Sequence, residues 1–225
     1  MPSLVGSEMC IRDSVDAAKK VAIGTFLYAG QICISTQRVF VVKKVYDEFL
    51  KRLLEETSKL KVGNPADDKT QVGPLIAKVH LDRIDSWVKQ AISSGAKLLC
   101  GGQIQSQDQN LYAPTWLTKV KSNEKVMCEE VFGPVGIIES VDDFDQAIER
   151  ANDTSFGLQA GVFTNRLDHS KNAFRDLEYA GVMINNIPGF RVDSMPYGGI
   201  KDSGFGREGL RYTIEEFTEI KLLVF

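Results

Sequence analysis

A single thiol, Cys33, stands three residues beyond a glycine that interrupts a helical pattern, in Gly30-Gln31-Ile32-Cys33, and a thiol so placed could serve as a nucleophile. Val15, Ala18, Ala22, Thr25, Phe26 and Ala29 recur at helical spacing, so Gly30 reads as the stop that throws Cys33 onto a turn. If residues 34–37 open another helical turn, its free N–H groups and positive dipole end would favour thiolate over thiol. An unpaired cysteine is as readily a small buried apolar residue, and the local pattern leaves both readings open. A second stretch, Val126-Met127-Cys128-Glu129-Glu130-Val131-Phe132-Gly133-Pro134-Val135, sets two acids and an aromatic just before a glycine-proline turn. Adjacent carboxylates ordinarily point apart and stay ionised, so spacing alone gives a solvated acidic pair, with Cys128 and Cys100 as packing residues.

The elements that must hold these groups alternate. Residues 38–43 form a β-branched and aromatic run, then Val45, Phe49, Leu50, Leu53, Thr57 and Leu60 fall at helical spacing. Leu81, Ile84, Val88, Ala91 and Ile92 mark another helix, stopped near Gly95. Strands are predicted at residues 97–100, 115–120, 135–140, 158–164 and 181–185. Helices are predicted around Phe144, Ala147, Ile148 and Ala151, capped by Asp142 or Asp143, and over residues 168–179. Alternating strands and helices argue for an α/β fold: a mostly parallel sheet covered on both faces, with sites at the carboxyl ends of its strands. Residues 186–206 lack a period and are rich in glycine and proline, a long loop of the kind that carries function. A helix around residues 208–217 and an apolar terminal strand at 220–225 complete the pattern.

At 225 residues, 43% hydrophobic and 25% charged, the chain can bury a real core as one large domain or two small ones. A formal charge of −3, with no basic run interleaved with aromatics, argues against nucleic acid as a partner. No apolar stretch approaches the ~20 residues of a membrane span. Cys10, Cys33, Cys100 and Cys128 lie far apart, and with His80 and His169 they give no metal-ligand spacing, so no metal is expected. So few cysteines in so long a chain fit a reducing compartment, the cytoplasm or an organelle matrix. Residues 1–14 show neither helical nor strand period and no signal-peptide layout, and are set outside the fold as a non-native or disordered leader. Gly204-Phe205-Gly206-Arg207-Glu208-Gly209 matches the dinucleotide fingerprint literally, yet a proline-glycine loop precedes it where a strand is required, so it reads as a loop leading to a helix.

Four blocks then follow one another in order: Gly30-Gln31-Ile32-Cys33; Glu129-Glu130-Val131-Phe132-Gly133-Pro134-Val135; Asn152 with Phe156-Gly157-Leu158; and Pro196-Tyr197-Gly198-Gly199-Ile200-Lys201-Asp202-Ser203-Gly204. Together they make residues 15–225 resemble the NAD(P)-dependent aldehyde dehydrogenase superfamily. The resemblance implies a three-layer α/β catalytic domain over residues 15–217 and a C-terminal oligomerisation strand at 218–225, hence a homo-oligomer in the full-length enzyme. It implies NAD or NADP as cofactor and an aldehyde as substrate. Cys33 would attack the aldehyde, hydride would pass to the nicotinamide, and the thioester would be hydrolysed. Glu130 would contact the nicotinamide ribose and Phe132 would pack beside the nicotinamide ring. Phe26 and the 187–195 loop, with Phe190 and Arg191, would shape the aldehyde channel. Arg191 either recognises an acidic substrate tail or is an ordinary surface arginine.

Family members carry a cofactor domain, a Glu-Leu-Gly-Gly block and an oxyanion asparagine before the cysteine, and none of these precedes Cys33 here. The expectation is therefore a partial enzyme, inactive by itself. Rivals are a CoA-acylating semialdehyde dehydrogenase fragment, a non-catalytic binding or oligomerisation module, and a thiol redox protein using Cys33. No resolving cysteine lies close to Cys33 in sequence to favour the last of these.

Overall fold

A computed structural model describes residues 3–6 and 11–225, with side chains from Val15 onward. The elements in chain order are β1 (Ser3–Gly6), α1 (Ile11–Phe26), a short turn (Leu27–Gly30), β2 (Arg38–Val42), α2 (Lys43–Ser58), α3 (Lys78–Ser93), β3 (Lys97–Cys100), β4 (Ile104–Ser106) and β5 (Leu111–Tyr112). There follow β6 (Thr115–Thr118), α4 (Lys125–Cys128), β7 (Val135–Val141), α5 (Phe144–Asn152), β8 (Phe156–Gly157), β9 (Gln159–Phe163), α6 (Leu167–Asp176), β10 (Gly181–Ile184), β11 (Ile200–Lys201) and α7 (Leu210–Glu216). Seven strands form one sheet in the order β10-β9-β1-β2-β7-β6-β3. Every pairing in it is parallel except β3 with β6.

Period-two alternation along β2 builds the layers. Val39 and Val41 face α1 and α2, where Ala18, Val21 and Ala22 meet Phe49, Leu53 and Trp116. Phe40 faces the other way, into a cluster with Phe144, Ala147 and Ala151 of α5, Ala160 and Val162 of β9, and Ala173 of α6. On that same side Leu117 and Ile137 receive Leu81, Ile84 and Val88 of α3. The result is the expected three-layer α/β arrangement with helices on both faces. Asp143, one of the two acids expected to cap α5, does so: its Oδ1 accepts the Gln146 N–H at 2.9 Å. Arg38, 2% exposed, closes the other end of that helix by donating to the carbonyls of Ala151 and Asp153.

Three expectations need revision. Residues 1–14 do not all stand outside the fold, since Ser3–Gly6 lies between β2 and β9 with Ser3 opposite Arg38 and Ala160, and α1 starts at Ile11. Four residues are too few to display a strand period, and here the unpaired edges of β2 and β9 define the element by supplying its hydrogen-bond partners. Cys10 lies outside the described residues. The terminal run takes no strand form: residues 219–225 have no regular structure, with Ile220, Leu222, Leu223, Val224 and Phe225 all exposed. A strand needs a neighbour, and among the described residues none pairs with this segment. Finally, Ile34 lies in the turn and residues 35–37 lead without helical structure into β2, so no helix opens after Cys33.

Candidate active site

The turn that carries Cys33 is built against the end of α1. The last carbonyls of that helix are taken by the loop beyond it: Thr36 N–H donates to Gly24 O at 3.1 Å and Ser35 Oγ to Thr25 O at 2.9 Å. Ser35 N–H also donates to Ile32 O at 2.9 Å, which closes a tight turn with Cys33 inside it and its side chain exposed. Before it, Tyr28, Ala29 and Gly30 all adopt positive φ, at 52°, 56° and 71°. Gly30 is obligatory here for a second reason: a Cβ at this position would lie 2.0 Å from Gly133 O. The Cys33 turn and the Glu130–Phe132 loop therefore meet backbone to backbone.

Two glutamines fix this meeting. Gln37, 6% exposed, donates to Val126 O and Glu129 O, each at 2.9 Å, and accepts from Val131 N–H at 3.0 Å, thereby holding the backbone on both sides of Glu130. Arg83 adds a 2.6 Å bond to Val131 O. Gln31 donates to Tyr28 O and Pro74 O and accepts from Ile76 N–H, tying the turn to the loop before α3. Cys33, Glu130, Phe132 and Ile32 then line one narrow slot. Beside it opens a cleft of about 700 Å³ bordered by Leu27, Tyr28, Gln31, Pro74, Ile76 and Phe132. Phe132, 41% exposed and with φ 49°, borders both. An exposed aromatic face between an apolar cleft and a thiol, with a carboxylate next to it, fits a flat heteroaromatic ring carrying a hydroxylated sugar.

On the far side of the sulfur stands Tyr197, 9% exposed, its hydroxyl 2.8 Å from Cys33 Sγ. Burial, and then the bond to Cys33, push its phenol well above the ordinary tyrosine range, so it stays protonated. The Arg191 guanidinium lies over the Tyr197 ring, 4.3 Å from its centroid, and pairs with Glu208 at 3.6 Å.

Of the residues singled out from sequence, Cys33, Glu130 and Phe132 are brought together, and Arg191 reaches the group through Tyr197. Phe190 is exposed on the same loop as Arg191. Phe26 is not a channel residue. It is 1% exposed and packs edge-to-face on Trp116, ring centroids 5.5 Å apart. The helical spacing it shares with Ala18 and Ala22 places it on the stripe of α1 that faces the sheet. Sequence reasoning gave no role to Tyr197, Gln31 or Gln37. An amide directly before a hydrophobic strand is the one local sign of Gln37, because a polar residue entering a core must find partners there.

Comparison with known proteins resolves the family. The profile of the aldehyde dehydrogenase family matches residues 7–223. The chain belongs to that family. Among curated relatives, a 3-sulfolactaldehyde dehydrogenase of Priestia aryabhattai is 44% identical over 212 residues, covering 94% of this chain and 44% of that protein. A lactaldehyde dehydrogenase of Methanococcus maripaludis is 44% identical over 210 residues, with 92% and 44% covered. The chain thus spans less than half the length of these aldehyde dehydrogenases. Among solved structures, aldehyde dehydrogenase 21 from Physcomitrella patens, in complex with its product succinate, superposes with a TM-score of 0.93 at 36% identity, over 100% of this chain and 46% of that one. The glyceraldehyde-3-phosphate dehydrogenase of Methanocaldococcus jannaschii, complexed with NADP, gives 0.89 at 39% identity, over 98% and 46%.

Proposed function

We propose that this chain forms the catalytic half of an NAD(P)-dependent aldehyde dehydrogenase that oxidises a short polar aldehyde to its acid. The observation that carries the reading is the exposed Cys33 sulfur sharing one slot with Glu130 and Phe132. The Cys33 thiolate adds to the carbonyl carbon, forming the C–S bond and pushing the π pair onto oxygen, where the Cys33 backbone N–H helps to hold it. A nicotinamide, when bound, supplies the acceptor for the hydride lost from that carbon. Phe132 offers a face for its ring and Glu130 an acceptor for a ribose hydroxyl. Water then cleaves the C–S bond of the resulting thioester, releasing the acid and restoring the thiol.

The names of the relatives support an aldehyde bearing a hydroxyl or an anionic group, and Arg191, one ring away from the sulfur, is the cation for the latter. Three free cysteines among the described residues support a reducing compartment such as the cytoplasm. Among those residues, no helix is long and apolar enough to cross a membrane. The exposed apolar tail supports association with a second copy.

Thiohemiacetal formation gives the test. Lactaldehyde should slow iodoacetamide labelling of Cys33, read by peptide mass spectrometry, while leaving Cys128 unaffected. Equal labelling with and without aldehyde would refute the assignment. In the same assay 3-sulfolactaldehyde should protect at lower concentration than lactaldehyde, and Arg191→Ala should abolish that preference.

A further inference from the structure

We propose that Tyr197 is the positioning residue of the nucleophile, its phenol O–H donating a hydrogen bond to the Cys33 sulfur. The inference rests on Cys33 being the nucleophile and adds what holds it. Three observations converge. The Tyr197 oxygen lies 2.8 Å from Sγ. The ring is 9% exposed and its backbone exchanges hydrogen bonds with Glu208, so the hydroxyl is delivered from a fixed frame. Arg191 covers one face of the ring at 4.3 Å, and its charge over the π system polarises the phenol toward donation. A phenol has a proton to give and a thiolate has none, so against a thiolate the hydroxyl is the donor.

The charged groups that face the pair are Glu130 from the loop before β7, Arg191 from the loop after β10, and Glu208 just ahead of α7. A hydrogen-bond donor stabilises the negative charge of a thiolate and confines the sulfur to one rotamer, and both effects raise the rate of attack. The sequence carries this function in the Tyr197 of Pro196-Tyr197-Gly198-Gly199, where a phenylalanine would fill the same space without the donor.

The test uses the 225-residue chain and iodoacetamide. In that reaction the Cys33 thiolate displaces iodide, so a C–S bond forms as the C–I bond breaks. At about pH 7, Tyr197→Phe should react at Cys33 roughly three- to tenfold more slowly than the unaltered chain, and by about pH 10 the two rates should converge. Equal rates at about pH 7, or a deficit that persists undiminished at high pH, would overturn the proposal. The second result would mean that the hydroxyl governs access rather than ionisation. Labelling of Cys100, which is half-buried, monitors the fold in parallel and should be the same in both proteins. If Tyr197→Phe speeds Cys100 labelling, the decision passes to the unaltered chain. There, alkylation of Cys33 should blue-shift one tyrosine in the ultraviolet difference spectrum, and a flat spectrum refutes the hydrogen bond. A Cys33 inert in the unaltered chain at every pH would instead remove the functional reading itself.

Discussion

At the residue scale, what separates Cys33 from the other thiols is surroundings rather than chemistry. Cys128 is exposed too, but desolvation, and then the charge of Glu129, push its thiol up, and burial does the same to Cys100. Labelling of both should therefore lag at neutral pH and climb only above the ordinary thiol range. Glu129→Gln should speed Cys128 about two- to threefold and leave Cys100 unchanged, as read by peptide mass spectrometry. Gly30 makes a sharper case. Gly30→Ala must place a methyl 2.0 Å from Gly133 O at a φ that L-residues avoid, and should cost about 2–4 kcal/mol in a urea melt. Gly30 and Cys33 were legible from the chain break they share, whereas Glu130 and Phe132 gained their roles only through the resemblance of the four ordered blocks. Tyr197 went unread because 164 residues separate it from the sulfur it touches.

At the scale of elements, periodicity carried most of the fold. The β-branched and aromatic run of β2 and the apolar stripes of α2, α3 and α5 give the burial found. Phe26 fell to the same periodicity: the helical spacing it shares with Ala18 and Ala22 puts it on the core stripe of α1, against the channel role that the resemblance implied. Sequence was silent where an element is defined by partners, as with β1 between two strands and the terminal run with none. The join between β2 and the loop carrying Glu130 belongs to this class, because Gln37 satisfies backbone groups some 90 residues away. Gln37→Leu leaves Val126 O, Glu129 O and Val131 N–H without their partner. It should destabilise by about 2–4 kcal/mol and speed amide exchange at Val131 more than at Val39. Equal exchange at the two amides would show that Gln37 does not hold the loop.

For the molecule as a whole, pH acts through Glu139. Burial raises its carboxyl, opposed chiefly by the Val120 N–H it accepts. The unfolded chain releases this proton at lower pH than the folded one, so more protons are bound in the native state across that window. Stability contributed here is complete below the unfolded carboxyl range and falls as pH rises through the folded value. Glu139→Gln should flatten the fall in melting temperature between about pH 4 and pH 7, and an unchanged slope would point to another group. Association through the exposed tail is the second proposal at this scale. A chain ended at Phe217 should elute as a smaller species than the 225-residue protein on sizing chromatography, and equal elution would exclude the tail from self-association. The meeting of Gly30 with Gly133 constrains how such a molecule can diversify. Two main chains in direct apposition leave no slack for an inserted residue in either, so the thiol and the carboxylate-aromatic pair can vary only in concert. The Arg191 segment meets the sulfur only through the Tyr197 ring, so under the proposed function changes there would alter preferences among aldehydes first.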